Sequence, residues 1–149
     1  MSFLTDVNDK YLIHAASIIA YHGTNTKFTK FDKSKRELGF HFGSTKEQAL
    51  DRGKYLIKAK LILTNPYDIV SDLGQWDDME MLKEYLGEAN EGPFTNEEFD
   101  KFKNSDDVRS GLKKLGYDGL VYDNSFEGQK NAPSYIVFEP EQIHIIEWL

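Results

Sequence analysis

Residues 54–63 constrain the fold most, because their apolar side chains recur at every second position. The residues on the apolar face are Tyr55, Ile57, Ala59, Leu61 and Leu63. A period of two is typical of a β-strand with one side on a core and the other toward solvent. The pair Asn65–Pro66 is expected to close this strand, since a residue before proline avoids the helical region. The chain is therefore expected to contain a half-buried sheet.

Other segments are predicted to be strands from their β-branched and aromatic content and from the turn residues beside them. They are residues 17–22, 39–43, 119–122 and 134–138, with residues 143–148 as a last edge strand. Helices are predicted at residues 45–52, 77–86 and 96–115. Strands that flank a helical insert, at about residues 75–115, indicate an α+β fold with antiparallel pairing.

The helix boundaries follow from capping residues. Thr45 is the expected N-cap of the first helix, and Gly53 its stop. Thr95 and Glu98 form the capping-box pattern at the start of the third helix, which Gly116 is expected to end. The apolar stripe of these helices favours core packing over a ligand site.

Composition narrows the range of functions. The 149 residues fit one domain spanning 1–149, and cysteine is absent. The four histidines are too dispersed to predict a metal site. The net charge of -7 argues against a protein that holds duplex nucleic acid through its phosphates. The sequence has neither a signal-peptide pattern nor a long apolar run, which favours a soluble cytoplasmic protein without membrane contact.

Two charged regions are interpreted as solvated. The first is the cluster Lys27, Lys30, Lys33, Lys35 and Arg36, which we expect in an exposed loop. The second is the pair Glu139 and Glu141 beside Pro140, which we expect to face solvent.

The segment Tyr21–His22–Gly23–Thr24 ends the first predicted strand. A histidine at a strand end is more often structural than catalytic. Glycine strengthens the functional interpretation, because a residue without a side chain lets a flat ligand approach the backbone N–H and C=O groups. A carboxamide, with donors and an acceptor, would match such an exposed peptide.

A second segment, GFHFGST at 39–45, places rings next to the predicted start of a helix. His41 and Phe42 would then wall a pocket beside the His22 strand. Ordinary alternation on a strand, with one ring in the core and one in solvent, is the alternative interpretation.

The third set of motifs completes an ordered pattern: GYDGLVY at 116–122 and SYIVFEPEQI at 134–143. With these motifs the chain resembles the ADP-ribosyltransferase superfamily, in particular the small domains of phage-borne polyvalent proteins and bacterial toxins. The resemblance covers about residues 18–146 except the helical insert. It implies a split antiparallel β-sandwich around an NAD cleft.

The resemblance also assigns roles by position. His22 would hold the adenosine-side ribose of NAD, Gly23 the nicotinamide carboxamide through its backbone, and Thr24 the adenosine half. Tyr21 and Phe42 belong to the same NAD-binding segments. His41 stands where some members keep a tyrosine against the nicotinamide, and the RNA 2'-phosphotransferase branch is expected to have histidine there. Arg52 stands where a second stacking tyrosine is expected, for which Tyr55 could substitute.

The largest departure from the family pattern is Ser134, which occupies the usual place of the catalytic carboxylate. Without that carboxylate, the oxocarbenium-like transition state lacks its usual anion. Chain elongation is therefore not expected, whereas transfer of a single ADP-ribose is. Glu127, in the polar loop before Ser134, is the candidate replacement, and an exposed loop carboxylate is the alternative interpretation.

These expectations combine into an NAD-dependent mono-ADP-ribosyltransferase with His22, His41, Glu127 and Ser134 as catalytic candidates. NAD is the co-substrate, and the acceptor is a protein or a nucleic acid. The expected setting is a toxin, effector or phage-encoded modifier in the cytoplasm of a bacterial or phage-infected cell, with an antitoxin or other partner protein as a candidate partner. The alternatives are an inactive domain that binds NAD or ADP-ribose, an RNA 2'-phosphotransferase and a rifampin-type enzyme.

Overall fold

The computed structural model describes residues 17–50, 52–71, 73, 75–123 and 132–149. The strands are β1 (Ser17–Thr24), β2 (Phe40–Gly43), β3 (Tyr55–Ile62), β4 (Pro66–Ser71), β5 (Gly119–Asp123), β6 (Pro133–Val137) and β7 (Ile143–Trp148). The α-helices are α1 (Lys46–Leu50), α2 (Met79–Leu86), α3 (Asn96–Asp100) and α4 (Ser105–Lys114). The α+β class predicted from the sequence is thereby confirmed.

The strands form a sheet in the order β4-β5-β6-β2-β1-β3-β7. β1 pairs with β3 along its whole length, from Ser17 opposite Ile62 to Thr24 opposite Tyr55. Between β1 and β2, in contrast, the register has the single pair Tyr21 and Gly43. The sheet therefore consists of two well-paired halves, β4-β5-β6-β2 and β1-β3-β7, which meet at one narrow junction.

Strand β4 corrects two sequence predictions. The pair Asn65–Pro66 was expected only to close the preceding strand, but Pro66 begins β4. Proline is tolerated there because it is the first residue of an edge strand. β4 runs parallel to β5, so the expected antiparallel pairing is wrong for these two strands. Parallel neighbours need a long crossover, which α2, α3 and α4 provide.

The predicted helix at residues 96–115 is interrupted. The capping box of Thr95 and Glu98 is confirmed, with bonds of 3.0 and 2.9 Å. A second N-cap, Asn104, then accepts a bond of 3.2 Å from the Asp107 N–H and starts α4. α4 ends at Lys114, just before Gly116, whose φ of +97° suits glycine. In the first helix, α1 ends at Leu50, before the predicted boundary.

The helical insert packs on the β4-β5-β6-β2 half. Its apolar stripe is buried as predicted at Leu82, Phe99, Val108 and Leu112, but Leu115 is 51% exposed. A second core cluster lies under β1 and β3 and includes residues such as Ile57. Among the described residues, no helix is long and apolar enough to cross a membrane.

Two polar side chains, from the motifs at 116–122 and 134–143, join the ends of several strands. The Asp118 carboxylate accepts bonds from the N–H groups of Thr64 and Asn65 at 2.7 and 2.9 Å. The Gln142 amide accepts bonds from the N–H groups of Phe138 and Glu139 and donates to the carbonyls of Ile62 and Asp118. These bonds satisfy backbone groups that the strand ends would otherwise leave unpaired. We call this region the scaffold corner: it consists of Asp118, Glu139 and Gln142, with the cations Lys33, Arg36 and Lys113 that contact the Glu139 carboxylate.

Candidate functional site

A cleft with a volume of about 260 Å³ lies at the junction of the two sheet halves. Its described lining residues are Tyr21, His22, Gly23, Glu37, His41, Phe42, Gly43, Gln48, Ala49, Arg52, Trp76, Tyr122 and Ser134. At this junction β1 and β2 share the single register pair Tyr21 and Gly43, and both residues line the cleft. Its walls carry aromatic rings, charged groups and the backbone of Gly23 and Gly43, a mixture typical of ligand sites.

His22 is held in one tautomer. Its Nδ1 lies 2.7 Å from the His41 carbonyl oxygen, which can only accept, so Nδ1 carries the proton. Phe31 and Phe42 pack against the ring, at centroid distances of 5.1 and 5.2 Å. Burial lowers the pKa of His22, the carbonyl bond opposes this effect and Arg52 adds to it. The ring is therefore neutral at physiological pH, and its Nε2 is a hydrogen-bond acceptor.

Gly23 is required by packing as well as by the ligand approach expected from the sequence. A Cβ at this position would lie 2.1 Å from the Ala49 carbonyl oxygen and 2.9 Å from the Arg52 Cβ. The glycine thus allows α1 to sit directly on the end of β1, where it closes one side of the cleft. The Gly23 backbone still lines the cleft.

His41 lies on the opposite half of the sheet. Its ring packs near Trp76 and Tyr122, at centroid distances of 5.7 and 6.5 Å. Although 29% of the side chain is exposed, the Nε2 atom is buried and has no hydrogen-bond partner among the described residues. Burial, with smaller contributions from Arg52 and His22, lowers the pKa of His41 to about 3. This histidine is therefore also neutral.

Glu37 is a cleft residue that the sequence analysis missed. One of its carboxylate oxygens lies 3.9 Å from the His41 Nε2. Burial and the charge of Asp77 raise the pKa of Glu37, and Arg52 lowers it. No sequence signal marked this residue, since it follows a lysine-rich stretch interpreted as a solvated loop and lies outside the motifs.

Ser134 is 1% exposed and its Oγ lies 3.4 Å from the Gln48 Oε1. Gln48 is equally buried and was also missed from the sequence. Its Oε1 accepts a 2.7 Å bond from the Ser44 N–H, and its Nε2 donates a 2.8 Å bond to the Ala132 carbonyl. Gly43 allows this contact, because a Cβ there would lie 2.6 Å from the Gln48 Cβ. Ser134 and Gln48 thus form a polar wall between β2, β6 and α1.

The structure brings together most of the predicted site residues. Those in the cleft lining are Tyr21, His22, Gly23, His41, Phe42, Arg52 and Ser134. Thr24 and Tyr55 are outside that lining. The Thr24 hydroxyl bonds locally to the Thr26 carbonyl, and the Tyr55 ring lies against Trp148 at a centroid distance of 6.3 Å. Glu127 lies outside the described residues.

Glu139 corrects the expectation that it faces solvent. Its side chain is 20% exposed and lies 2.9 Å from Lys113, 3.1 Å from Arg36 and 3.5 Å from Lys33. Burial opposes its ionisation, but bonds from Lys113 and Arg36 prevail and hold the pKa of Glu139 at about 2. Arg36 is likewise 11% exposed in its side chain, so the basic cluster is not uniformly solvated. Glu141 is exposed, as predicted.

Fold and cleft together define an α+β domain with a cleft at the junction of two half-sheets. A family model described as "ADP-Ribosyltransferase in polyvalent proteins" (ART-PolyVal) matches residues 16–147. The chain therefore belongs to this ADP-ribosyltransferase family.

Comparison with solved structures shows the fold in a second protein. A structure titled "Crystal structure of an anti-CRISPR protein" aligns with a TM-score of 0.50 and 14% sequence identity, over 91% of this chain and 97% of that chain. Comparison with curated proteins returns no match.

Proposed function

We propose that this protein is an NAD-dependent mono-ADP-ribosyltransferase that modifies a macromolecule, either a protein or a nucleic acid. The observation that carries the proposal is the cleft of this family member, where the neutral His22 ring and the Gly23 backbone share one wall. With Nδ1 protonated, the His22 Nε2 can accept a hydrogen bond from a ribose hydroxyl. The peptide at Gly23 can pair with the nicotinamide carboxamide.

The size of the cleft suits one half of the dinucleotide. About 260 Å³ is below the roughly 300–1,000 Å³ of pockets that enclose a whole drug-sized ligand. We therefore infer that the nicotinamide and its ribose enter the cleft while the adenosine half extends along the surface. Trp76 and Tyr122, with centroids 4.9 Å apart, offer an aromatic wall to the nicotinamide ring beside His41.

Arg52 has a different role from the stacking tyrosine expected at its position. It is exposed at the rim of the cleft and its charge acts on His22, Glu37 and His41. A guanidinium at such a rim is suited to bind the NAD pyrophosphate, because it donates planar paired hydrogen bonds to phosphate oxygens.

The chemistry we propose is dissociative. The bond between the ribose and the nicotinamide lengthens, the ribose gains positive charge and the acceptor then attacks it. The protein contributes mainly positioning and electrostatic stabilisation. Since Ser134 has no acid group, the proposal is limited to single transfers.

The test uses a variant that separates the two ring nitrogens of His22. In His22→Asn the amide nitrogen can replace Nδ1 as the donor to the His41 carbonyl, but nothing replaces the Nε2 acceptor. We expect NAD affinity to fall at least tenfold by calorimetry, with transfer of labelled ADP-ribose to lysate macromolecules lost in proportion. His144→Asn, at an exposed histidine outside the cleft lining, is the matched control and should behave like the wild type.

Other outcomes would favour the alternatives. Binding of NAD without turnover would indicate an inactive binding domain. This is the second candidate function, and the serine at position 134, in place of an acid, favours it. Turnover only with 2'-phosphorylated RNA would indicate a phosphotransferase. A wild-type protein that leaves millimolar NAD unbound would refute the proposed function.

A further inference from the structure

The cleft has an acid group in a place that the family pattern does not predict. Among the described residues that line it, Glu37 is the one carboxylate. Ser134 lines the same cleft at the position where a family carboxylate is expected. The acid missing from β6 is thus matched by an acid near the other end of β2: Ser134 pairs with Gly43, the last residue of β2, and Glu37 precedes Phe40, its first.

We propose that Glu37 is the catalytic carboxylate of this protein: it stabilises the cationic ribose and accepts the proton of the attacking acceptor. The proposal rests on the NAD chemistry proposed above and names the group that performs it. It replaces Glu127 as our candidate for this role.

The backbone at Glu37 is fixed by the helical insert. Arg109 on α4 is 5% exposed and donates bonds of 2.9 and 3.2 Å to the carbonyls of Glu37 and Leu38. Asp106 pairs with the same guanidinium. A catalytic group needs this kind of support, because an error of about 1 Å in its position can cost two orders of magnitude in rate.

The side chain itself remains accessible. It is 46% exposed, whereas the backbone that carries it is anchored. The Glu37 carboxylate can therefore reach a substrate in the cleft without a rearrangement of β2 or of the helical insert.

Burial, more than the neighbouring charges, raises the pKa of Glu37 and so keeps its carboxylate basic. From β2, His41 lies 3.9 Å away and is neutral, so it does not quench the carboxylate by forming an ion pair. From the segment before α2, Asp77 raises the pKa of Glu37, while Arg52, after α1, lowers it. Burial contributes most to the increase. A carboxylate with a raised pKa is a better general base near neutral pH.

The glycosidic bond between the ribose C1' and the nicotinamide nitrogen breaks, and its electron pair stays on nitrogen, which releases neutral nicotinamide. The ribose becomes an oxocarbenium cation that the Glu37 carboxylate stabilises. The acceptor oxygen or nitrogen forms a new bond to C1' and its proton passes to Glu37, which later releases it to solvent.

The experiment measures nicotinamide release from NAD in the presence of cell lysate as the source of acceptors. For Glu37→Gln we expect kcat to fall about 100-fold, within the range usual for loss of a general base. We expect its Kd for NAD to change less than threefold. Glu141→Gln, at an exposed carboxylate outside the cleft lining, is the matched control and should keep kcat within threefold of the wild type. Glu127→Gln is measured beside it as the test of the rival candidate.

The pH profile provides a readout that a structural role would not move. Wild-type kcat should rise with pH as Glu37 loses its proton, and Glu37→Gln should lose this acid limb. Asp77→Asn should shift the limb to lower pH, because Asp77 raises the pKa of Glu37.

The possible failures differ. If the wild type binds NAD and releases nicotinamide while Glu37→Gln is equally fast, the role of Glu37 is refuted and the proposed function stands. A large fall in kcat for Glu127→Gln with Glu37→Gln unaffected would return the role to Glu127. If the wild type does not bind NAD, both proposals are wrong.

Discussion

Glu139 in the scaffold corner and Glu37 in the cleft are two partly buried carboxylates in opposite environments. Glu139 has Lys33, Arg36 and Lys113 within 3.5 Å, and its pKa is held at about 2. Glu37 faces a neutral histidine at 3.9 Å and its pKa is raised. The first environment stabilises the charge of the carboxylate, and the second makes that charge less favourable.

This difference distinguishes a structural acid from a functional one. Backbone groups at strand ends and partly buried charges need partners. The scaffold corner provides them through ion pairs to Glu139 and hydrogen bonds of the Gln142 amide. A site that handles protons needs groups whose ionisation is poised by their surroundings. We therefore expect substitutions of these two carboxylates to change stability with opposite dependence on pH.

The largest expected effect comes from His41. Its folded pKa of about 3, compared with 6.5 for an ordinary histidine, means that the unfolded chain binds a proton that the folded protein excludes. His41 therefore does not lower the free energy of unfolding above pH 6.5, and it lowers it increasingly as the pH falls toward 3. This corresponds to ~5 kcal/mol for a fully buried ring, and the 29% exposure of the side chain reduces our expectation to about 4.

Urea unfolding between pH 7 and pH 5 measures this effect above the ordinary titration range of carboxylates, with Glu37, whose pKa is raised, as the exception. Each histidine that stays neutral in the folded state adds up to about 1.4 kcal/mol per pH unit to the slope. In His41→Phe the contribution of His41 to this slope should disappear. The contribution of His22, whose pKa is also lowered, should remain. A variant with the wild-type slope would show that the cleft does not exclude the proton.

The next largest effect concerns Gln142. Gln142→Ala leaves two N–H groups and two carbonyls of the scaffold corner without their partner. Loss of these four hydrogen bonds should lower the free energy of unfolding by about 3 kcal/mol. Each unsatisfied buried group costs about 1–3 kcal/mol, and water that reaches part of the scaffold corner reduces the total. Chemical denaturation gives the measurement. The neighbouring Glu141→Ala, at an exposed side chain, should cost less than about 0.5 kcal/mol.

The elements that the sequence could predict are those with local signals. Strand periodicity and capping residues are local signals, so β1, β3 and the Thr95 cap could be predicted from the residues alone. β4 could not, because the segment after Pro66 shows no period of two and its pairing with β5 depends on the crossover. The interruption before α4 depends on Asn104, a capping residue inside an otherwise helical pattern.

The cleft was predictable only where a motif carried it. His22, Gly23 and His41 belong to short ordered motifs, and the structure places all three in one cleft. Glu37 and Trp76 belong to no motif, and tertiary packing alone brings them to the cleft. Gln142 shows the converse, since a family motif residue serves the scaffold instead of the cleft.

The last two predictions compare how Glu139 and Glu37 affect the free energy of unfolding, and the smaller effect is expected at Glu37. Glu139→Gln removes the charge that Lys113 and Arg36 bind, so the free energy of unfolding at pH 7 should fall by about 2 kcal/mol. The depressed pKa of Glu139 means that its contribution is present above pH 4.5 and is lost as the pH falls toward 2, so the variant should lack this acid dependence.

Glu37→Gln should change the free energy of unfolding by less than about 0.5 kcal/mol at pH 7, because the side chain is 46% exposed and its charge is screened. The sign should be stabilising. A raised pKa means that the protonated form suits the fold, a contribution that is full below pH 4.5 and lost as the pH rises through the folded pKa. Gln keeps the uncharged state at every pH. If thermal unfolding instead shows a loss as large as that of Glu139→Gln, Glu37 is a structural acid like Glu139.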